Sequence, residues 1–472
     1  MHRSVWGKLV GLLIAVVACS PTLPDPSLPE SVAETRHPAP SVVDRVRVGA
    51  GTIGDPLYPD LGNLGYDVQS YDIRVRVELD SRDATIAETI VAHATQDLDR
   101  FSLDYTGIPV AVVTVDGVAA TFEQVDGNLW VTPAARIARG DAFEVGITIT
   151  GTPRGLRASA GWQATDGQLV AFGIYDGLPS WLPSNGDPAD KARIDLWLDV
   201  PNGTRGVGPG TLVESSIVND RRVEHWRTGE ANSVTLIVRE YEVVTIESRL
   251  SFPITSYVPA TLGAGQRARL DVVPELLELF EDRFGPYPYE SLTLAWVQYS
   301  TGVPDEGLVL WGQDFADPSQ LAHVLAHLWF STNVSPARPV DSWLRSAFAN
   351  YADLLWYELN EGPERRDAVI RLWHRRVSPR SEPPISPTFV IGNESLFSRG
   401  PLGLHALRVR VGDEPFFAIL RAWVSERHRG SAETQDFLET AQRISEADLS
   451  AWWQAWLVDE TVPSIEELGL EP

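Results

Sequence analysis

The hydrophobic pattern of this chain changes period once, and that change constrains the fold more than any single motif. From about residue 64 to 245, apolar residues recur at every second position. In "YDIRVRVELD" Ile73, Val75, Val77 and Leu79 alternate with Asp72, Arg74, Arg76 and Glu78, so one face is buried and the other wet. "FEVGITIT" repeats the pattern through Val145, Ile147 and Ile149, and "RIDLWLDV" through Ile194, Leu196, Leu198 and Val200. "SVTLIVREYEVVTI" adds a further apolar run. Short strands punctuated by Gly, Pro and Asp predict an antiparallel β-sandwich. From about residue 270 the spacing becomes helical, which predicts a multidomain α+β chain.

The helical part has readable starts and stops. "DPSQLAHVLAHLWF" offers Asp317 as N-cap, Pro318 at N1 and Gln320 at N3. Leu321, Val324, Leu325, Leu328, Trp329 and Phe330 cover nearly every side of this segment, which predicts a buried central helix. "VDSWLRSAFANYADLLWYELNEGP" reads as a second helix with the stripe Leu344, Phe348, Tyr351 and Leu355, ended by Gly362 and Pro363. Further helices are expected from about 400 to 457, with caps near Asp413, Thr434 and Ser445.

The N-terminus carries a different signal. Arg3 and Lys8 precede the apolar run "LVGLLIAVVA", and Cys19, the only cysteine, follows a small residue. This is a secretory layout, and the run is too short to span a bilayer as a mature helix. "VVAC" resembles a bacterial lipobox, which implies lipidation of Cys19 and an extracytoplasmic protein held at the cell membrane by its lipid anchor. Residues 20 to 48 are rich in Pro, Ser and charge and read as a tether. The expected organisation is a signal peptide over 1–18, a tether over 19–48, a β domain over 49–245, and a mixed domain with a helical tail over 246–472. The net charge of -25 disfavours nucleic acid and anionic lipid as partners. Lys8 and Lys191 are the only lysines, and Lys191 is expected to pair with a nearby carboxylate.

"LAHVLAHLWFSTN" places His323 and His327 four apart, which puts both rings on one helix face. Zinc peptidases use this spacing with a glutamate directly after the first histidine. Several segments in order extend the likeness: "GYDVQSYDIRVRV", "DPADKARIDLWLDVP", "FGPYPYESLTL", "TGVPDEGLVLWG", "HVLAHLWF", "DSWLRSAFANYADLLW" and "SLFSRGPLGLHALR". Over about 49 to 460 the chain resembles an M1-family zinc aminopeptidase, a gluzincin. The resemblance implies a saddle-like N-terminal β domain followed by a thermolysin-like mixed α/β domain. It also implies that His323 and His327 match two zinc ligands. The general base would stand at Val324. The third ligand, a glutamate in the family, would stand at Ser346, nineteen positions after His327. The tyrosine that stabilises the oxyanion aligns with Phe397. Glu306, with Gly302 in "TGVPDE", aligns with the segment that grips the substrate's free amine.

These replacements carry chemical consequences. A catalytic zinc takes three protein ligands and a water. Two imidazoles without a carboxylate hold the ion weakly, and valine cannot accept the proton of a bound water. The expectation is a pseudo-peptidase with no catalytic residues and with no zinc, or zinc only weakly bound. It would bind a peptide, an amine-bearing ligand or a partner protein through the former cleft. "WLPSNGDP" at 181–188 is expected to line that cleft, and Phe397 to pack. Two other readings stay open: an active zinc aminopeptidase whose metal is reached by Asp305, Glu306 or Asp341, and a structural lipoprotein of the cell envelope.

Overall fold

The computed structural model describes residues 51–472 apart from 56–58, 158–159, 166, 299–301, 313–317 and 386–394. The expected signal peptide, Cys19, the tether to residue 48 and the Asp317 cap lie outside the described residues. Those that are described fall in one compact unit, Val46–Pro472.

The period-two segments build an eight-stranded sheet. Its strands are β1 (Tyr66–Glu78), β2 (Asp83–Ala94), β3 (Val110–Val115), β4 (Val118–Ala119), β5 (Ala142–Gly151), β6 (Ala192–Pro201), β7 (Thr211–Val218) and β8 (Arg221–Ala231), in the order β7-β8-β6-β1-β2-β5-β3-β4. Ile73, Val75 and Val77 of β1 are buried while their neighbours face outward. The pairing is antiparallel except for β1 against β6, which run parallel with Ile73 opposite Leu196 and Val75 opposite Leu198. A parallel neighbour needs a long crossover, and the chain between β1 and β6 provides it. A three-stranded sheet and a separate five-stranded sheet complete the β-rich part.

A further five-stranded sheet follows: β9 (Glu242–Ile246), β10 (Ile254–Val258), β11 (Leu292–Trp296), β12 (Val303–Asp305) and β13 (Leu308–Trp311), in the order β9-β10-β11-β13-β12. Its two faces serve different cores. Tyr257, Ala295, Leu308 and Leu310 pack with the β-rich part, whereas Ile254, Leu294, Val309 and Trp311 pack with the helices. This follows from the alternation of side chains along a strand.

The helices are α1 (Val273–Phe284), α2 (Pro318–His327), α3 (Trp343–Glu361), α4 (Pro363–Val377), α5 (Gly400–Val411), α6 (Asp413–Glu426) and α7 (Thr434–Ser445). Helix α2 begins at Pro318, and Leu321, Val324 and Leu325 are all buried. It widens into a π-helical turn over Leu328–Asn333. Helix α3 ends at Gly362, whose φ of 85° suits glycine, and Pro363 then opens α4. The cap of α7 is Glu433, one residue before the expected Thr434. Its side chain and that of Asp436 form a reciprocal capping box, while Thr434 binds Asp341 instead. The cap of α6 is Gly412, one residue before the expected Asp413, which lies in the first turn; Ser445 closes α7 instead of opening a helix. No described helix is long and apolar enough to cross a membrane.

Candidate functional site

Helix α2 presents the two histidines as their spacing requires. One Nε2 donates to the other across 3.3 Å. Two nitrogens bound to a tetrahedral zinc at the usual Zn–N length lie about 3.3–3.4 Å apart, so the pair keeps the spacing of a metal site. His327 is 7% exposed. Burial first, then the neighbouring His323 and Arg345, holds its pKa well below the usual imidazole range. On the other side of the first ring, His323 Nδ1 lies 3.6 Å from Asp353 Oδ2. A carboxylate there lies behind the ring, on the wrong nitrogen to complete a coordination sphere with both Nε2 atoms.

The three replaced positions have different surroundings. Val324 is buried at 1% exposure, packed in the helical core. Ser346 is buried in α3, where its backbone carbonyl accepts from Asn350 Nδ2 at 2.7 Å. Phe397 is not the packing residue expected. The π-helical turn Ser395–Arg399 holds its other four residues inward and leaves Phe397 37% exposed.

Among the described residues, no group of three or more His, Cys, Asp or Glu side chains is placed to hold a metal ion. A catalytic zinc takes three protein ligands, and among the described residues these two imidazoles are not joined by a third. The acids considered as substitutes are each engaged elsewhere. Asp341 accepts from the Thr434 backbone N–H at 2.9 Å and from its hydroxyl at 2.6 Å. Asp305 accepts from Ser233 Oγ and from the Glu306 N–H, both at 2.8 Å.

Glu306 and Gly307 form the two-residue turn between β12 and β13, and Gly307 takes a φ of 61°. Glu306 Oε1 accepts from the Gly229 N–H at 2.6 Å, and its backbone carbonyl accepts from Gly210 at 2.6 Å. Arg429 Nη1 stands 3.9 Å away. Burial raises the Glu306 pKa, and the Gly229 N–H, Arg429 and Lys191 oppose that rise. The carboxylate thus fastens the hairpin tip to the large sheet, beside a hollow walled by Gly210, Gly229 and Tyr289. Gly302 is exposed just before β12.

Among the described residues, Lys191 makes no close carboxylate pair. Its Nζ donates to the carbonyls of Thr332 at 3.2 Å, Asn333 at 2.9 Å and Gly430 at 2.9 Å. Burial pushes its pKa down to about 8, and Glu306 and Glu230 act only at longer range. The ammonium bolts the start of β6 to the turn that leaves α2.

A cavity of about 140 Å³ opens beside this junction. Ser184, Asn185, Gly186 and Pro188 of the expected 181–188 segment line it, as do Ser331 and Thr332 after α2, Pro304 of β12, and Ser342 and Arg345 at the start of α3. Glu306 is not among its lining residues. Arg345, whose charge acts on His327, is a feature that sequence reading passed over, although it stands beside Ser346 in "WLRSAF". Asp353 was equally missed. Its place two helical turns after Ser346, on the same face, was the available signal.

No protein-family model matches the chain. It is similar to Aminopeptidase N of Lactococcus lactis subsp. lactis, 26% identical over 326 residues, which cover 60% of this chain and 38% of that protein. Aminopeptidase M1-B of Oryza sativa subsp. japonica is 21% identical over 442 residues, covering 84% of this chain and 50% of that protein. The chain spans half or less of the length of both relatives. Among solved structures, the M1 zinc metallopeptidase from Deinococcus radiodurans matches with a TM-score of 0.80 at 25% identity, over 88% of this chain and 99% of that one. A mutant of that enzyme, matching at 26% identity, was solved bound to a Tyr-Ser-Ala substrate. The common architecture is α+β in two domains, with a β-rich N-terminal part and a helical C-terminal part.

Proposed function

We propose that this chain, a distant homologue of the M1 zinc metallopeptidases at 20–26% identity, is a peptidase scaffold that no longer cuts peptides and instead binds a small peptide-like ligand in its cleft. The observation that carries this reading is the imidazole pair flanked by neutral side chains at the positions of the base and the third ligand. His323 and His327 keep a 3.3 Å spacing, yet Val324 and Ser346 stand where the base and the third ligand would be. Neither side chain can supply the negative charge that offsets a divalent ion or accept the proton of its bound water. Loss of general-base help alone removes roughly 10²–10⁴-fold in rate. Loss of an oxyanion donor, here at Phe397, removes about 10²–10³-fold. The effects of residues that act together are not additive, so one of them suffices for near silence.

A metalloaminopeptidase with displaced ligands is less well supported, because Asp305, Glu306 and Asp341 already accept hydrogen bonds elsewhere. The "VVAC" segment supports placing the protein outside the cytoplasm on a lipid at Cys19.

The test is turnover of aminoacyl-anilides by the purified protein with and without zinc, beside the combined Val324→Glu, Ser346→Glu and Phe397→Tyr variant. The expected result is no zinc-dependent turnover by the natural chain and a measurable gain in the variant. Zinc-dependent turnover by the natural chain at the level of an ordinary family member would overturn the reading.

A further inference from the structure

Where the described chain begins, it forms one side of a short antiparallel ladder. Thr52 bridges Asn63, the Ile53 N–H donates to the Gly62 carbonyl at 3.1 Å, and the Leu64 N–H donates to the Gly51 carbonyl at 3.3 Å. All three contacts share one register, in which a step back along one strand is a step forward along the other. Ile53 and Leu61 of this hairpin line the cavity beside the histidine pair. The Gly65 carbonyl accepts from the Thr95 N–H at 2.9 Å, on the side of β2. Backbone groups of successive strand residues point to opposite sides, so Leu64 and Tyr66 turn theirs toward the chain that enters at Gly51. On that side of β1, pairing with β6 starts only at Ser70, whereas β2 pairs from Tyr66 onward. Continued backward in the same register, the ladder sets Ala50 against Gly65, Gly49 against Tyr66 and Arg47 against Val68. It stops there, because the Val68 N–H donates to Asp190 at 3.1 Å.

The segment that would take this place has the matching pattern. Residues 41–51, "SVVDRVRVGAG", contain no proline, unlike residues 21–40, and Arg45, Val46, Arg47 and Val48 alternate with the period of a strand. The turn at the end of the ladder is acidic. Asp190 spends its oxygens on the Val68 N–H and the Asn185 side-chain amide. Asp187 accepts from the Ala189 N–H at 2.9 Å, burial pushes its carboxyl up, and among the described residues no cation counters that rise.

We propose that residues 45–50, the end of the tether, dock as a short added strand on the free side of the start of β1, with Arg47 paired to Asp187. Strand addition supplies the alignment through backbone bonds, and the charge-assisted pair fixes the register. The tether then leaves the body at the rim of the cavity, and the ladder that holds it also holds Ile53 and Leu61 in the cavity wall.

The experiment is hydrogen exchange of the full chain at pH 7, read by mass spectrometry. The amides of residues 47–50 are expected to exchange on the order of tenfold or more slowly than those of residues 30–36. Arg47→Glu and Asp187→Asn should each restore fast exchange at 47–50, and the two together should add little to either alone. Arg45→Glu, beyond the point where Asp190 ends the ladder, should leave the protection in place. Exchange at 47–50 as fast as at 30–36 in the natural chain would overturn the proposal, and this reading needs no variant. A larger effect of Arg45→Glu than of Arg47→Glu would overturn the register. Protection that grows with protein concentration would assign the added strand to a second copy and overturn docking within one chain.

Discussion

Replacing Lys191 by methionine removes a single ammonium that serves three carbonyls. The bonds run to Thr332 at 3.2 Å and to Asn333 and Gly430 at 2.9 Å, from a side chain anchored at the start of β6. Bonds of this charged kind contribute about 1.5–3 kcal/mol each. Burial opposes them. It lowers the lysine pKa from 10.5 to about 8, a penalty of roughly 3 kcal/mol on the charged form. In Lys191→Met the Gly430 carbonyl keeps the Ser335 N–H at 3.1 Å, whereas the Thr332 and Asn333 carbonyls lose the ammonium. The balance is a loss of roughly 3 kcal/mol at pH 7. Unfolding of a chain this size carries an entropy of about 0.9 kcal/mol/K, so the melting temperature should fall by roughly 3–4 °C. Urea unfolding and calorimetry at pH 7 measure both. The pH dependence gives a second check. Because the folded pKa lies below the unfolded one, the unfolded chain binds the extra proton between about pH 8 and 10.5. Stability contributed by Lys191 therefore rises with pH through that window, and this rise should be missing in Lys191→Met. A methionine variant as stable as the natural chain at pH 7, with the same slope above pH 8, would refute the claim that the ammonium joins these segments.

Two further outcomes follow from the same geometry. Ser346→Glu should raise zinc affinity, measured by competition with a chromophoric chelator, by at least the roughly 10–100-fold that an outer-shell partner is worth, without restoring turnover while Val324 remains. Asp104 and Asp190, which burial raises to about 6 and about 7, bind protons in the folded state that the unfolded chain has released. Their contribution to stability falls as pH rises between about 4 and 7, so urea midpoints of Asp190→Asn should vary less across that range than those of the natural chain.

What could be read from the sequence is what depends on near neighbours along the chain. Alternation at every second position gave β1, β5 and β6, because facing in a strand repeats every two residues. Helical spacing gave α2 and α3, and Gly362 with Pro363 gave the end of α3, because dihedral preferences belong to single residues. The pairing of His323 with His327 was legible for the same reason, since four residues make about one turn. The neutral side chains at 324, 346 and 397 were legible as identities, though the outward turn of Phe397 was not.

The tertiary structure alone decided which distant groups meet. Glu306 could not be seen to leave the cavity for Gly229, 77 positions away, nor Lys191 to choose carbonyls 141 to 239 positions away over a carboxylate. Which way a hairpin tip turns, and which carbonyls a folded turn leaves exposed, depend on how sheet and helices pack, and no local periodicity encodes that. The same holds for Arg345. Its letter was plain beside Ser346, but only the packing of α3 against α2 made it a cation lining the cavity beside two histidines.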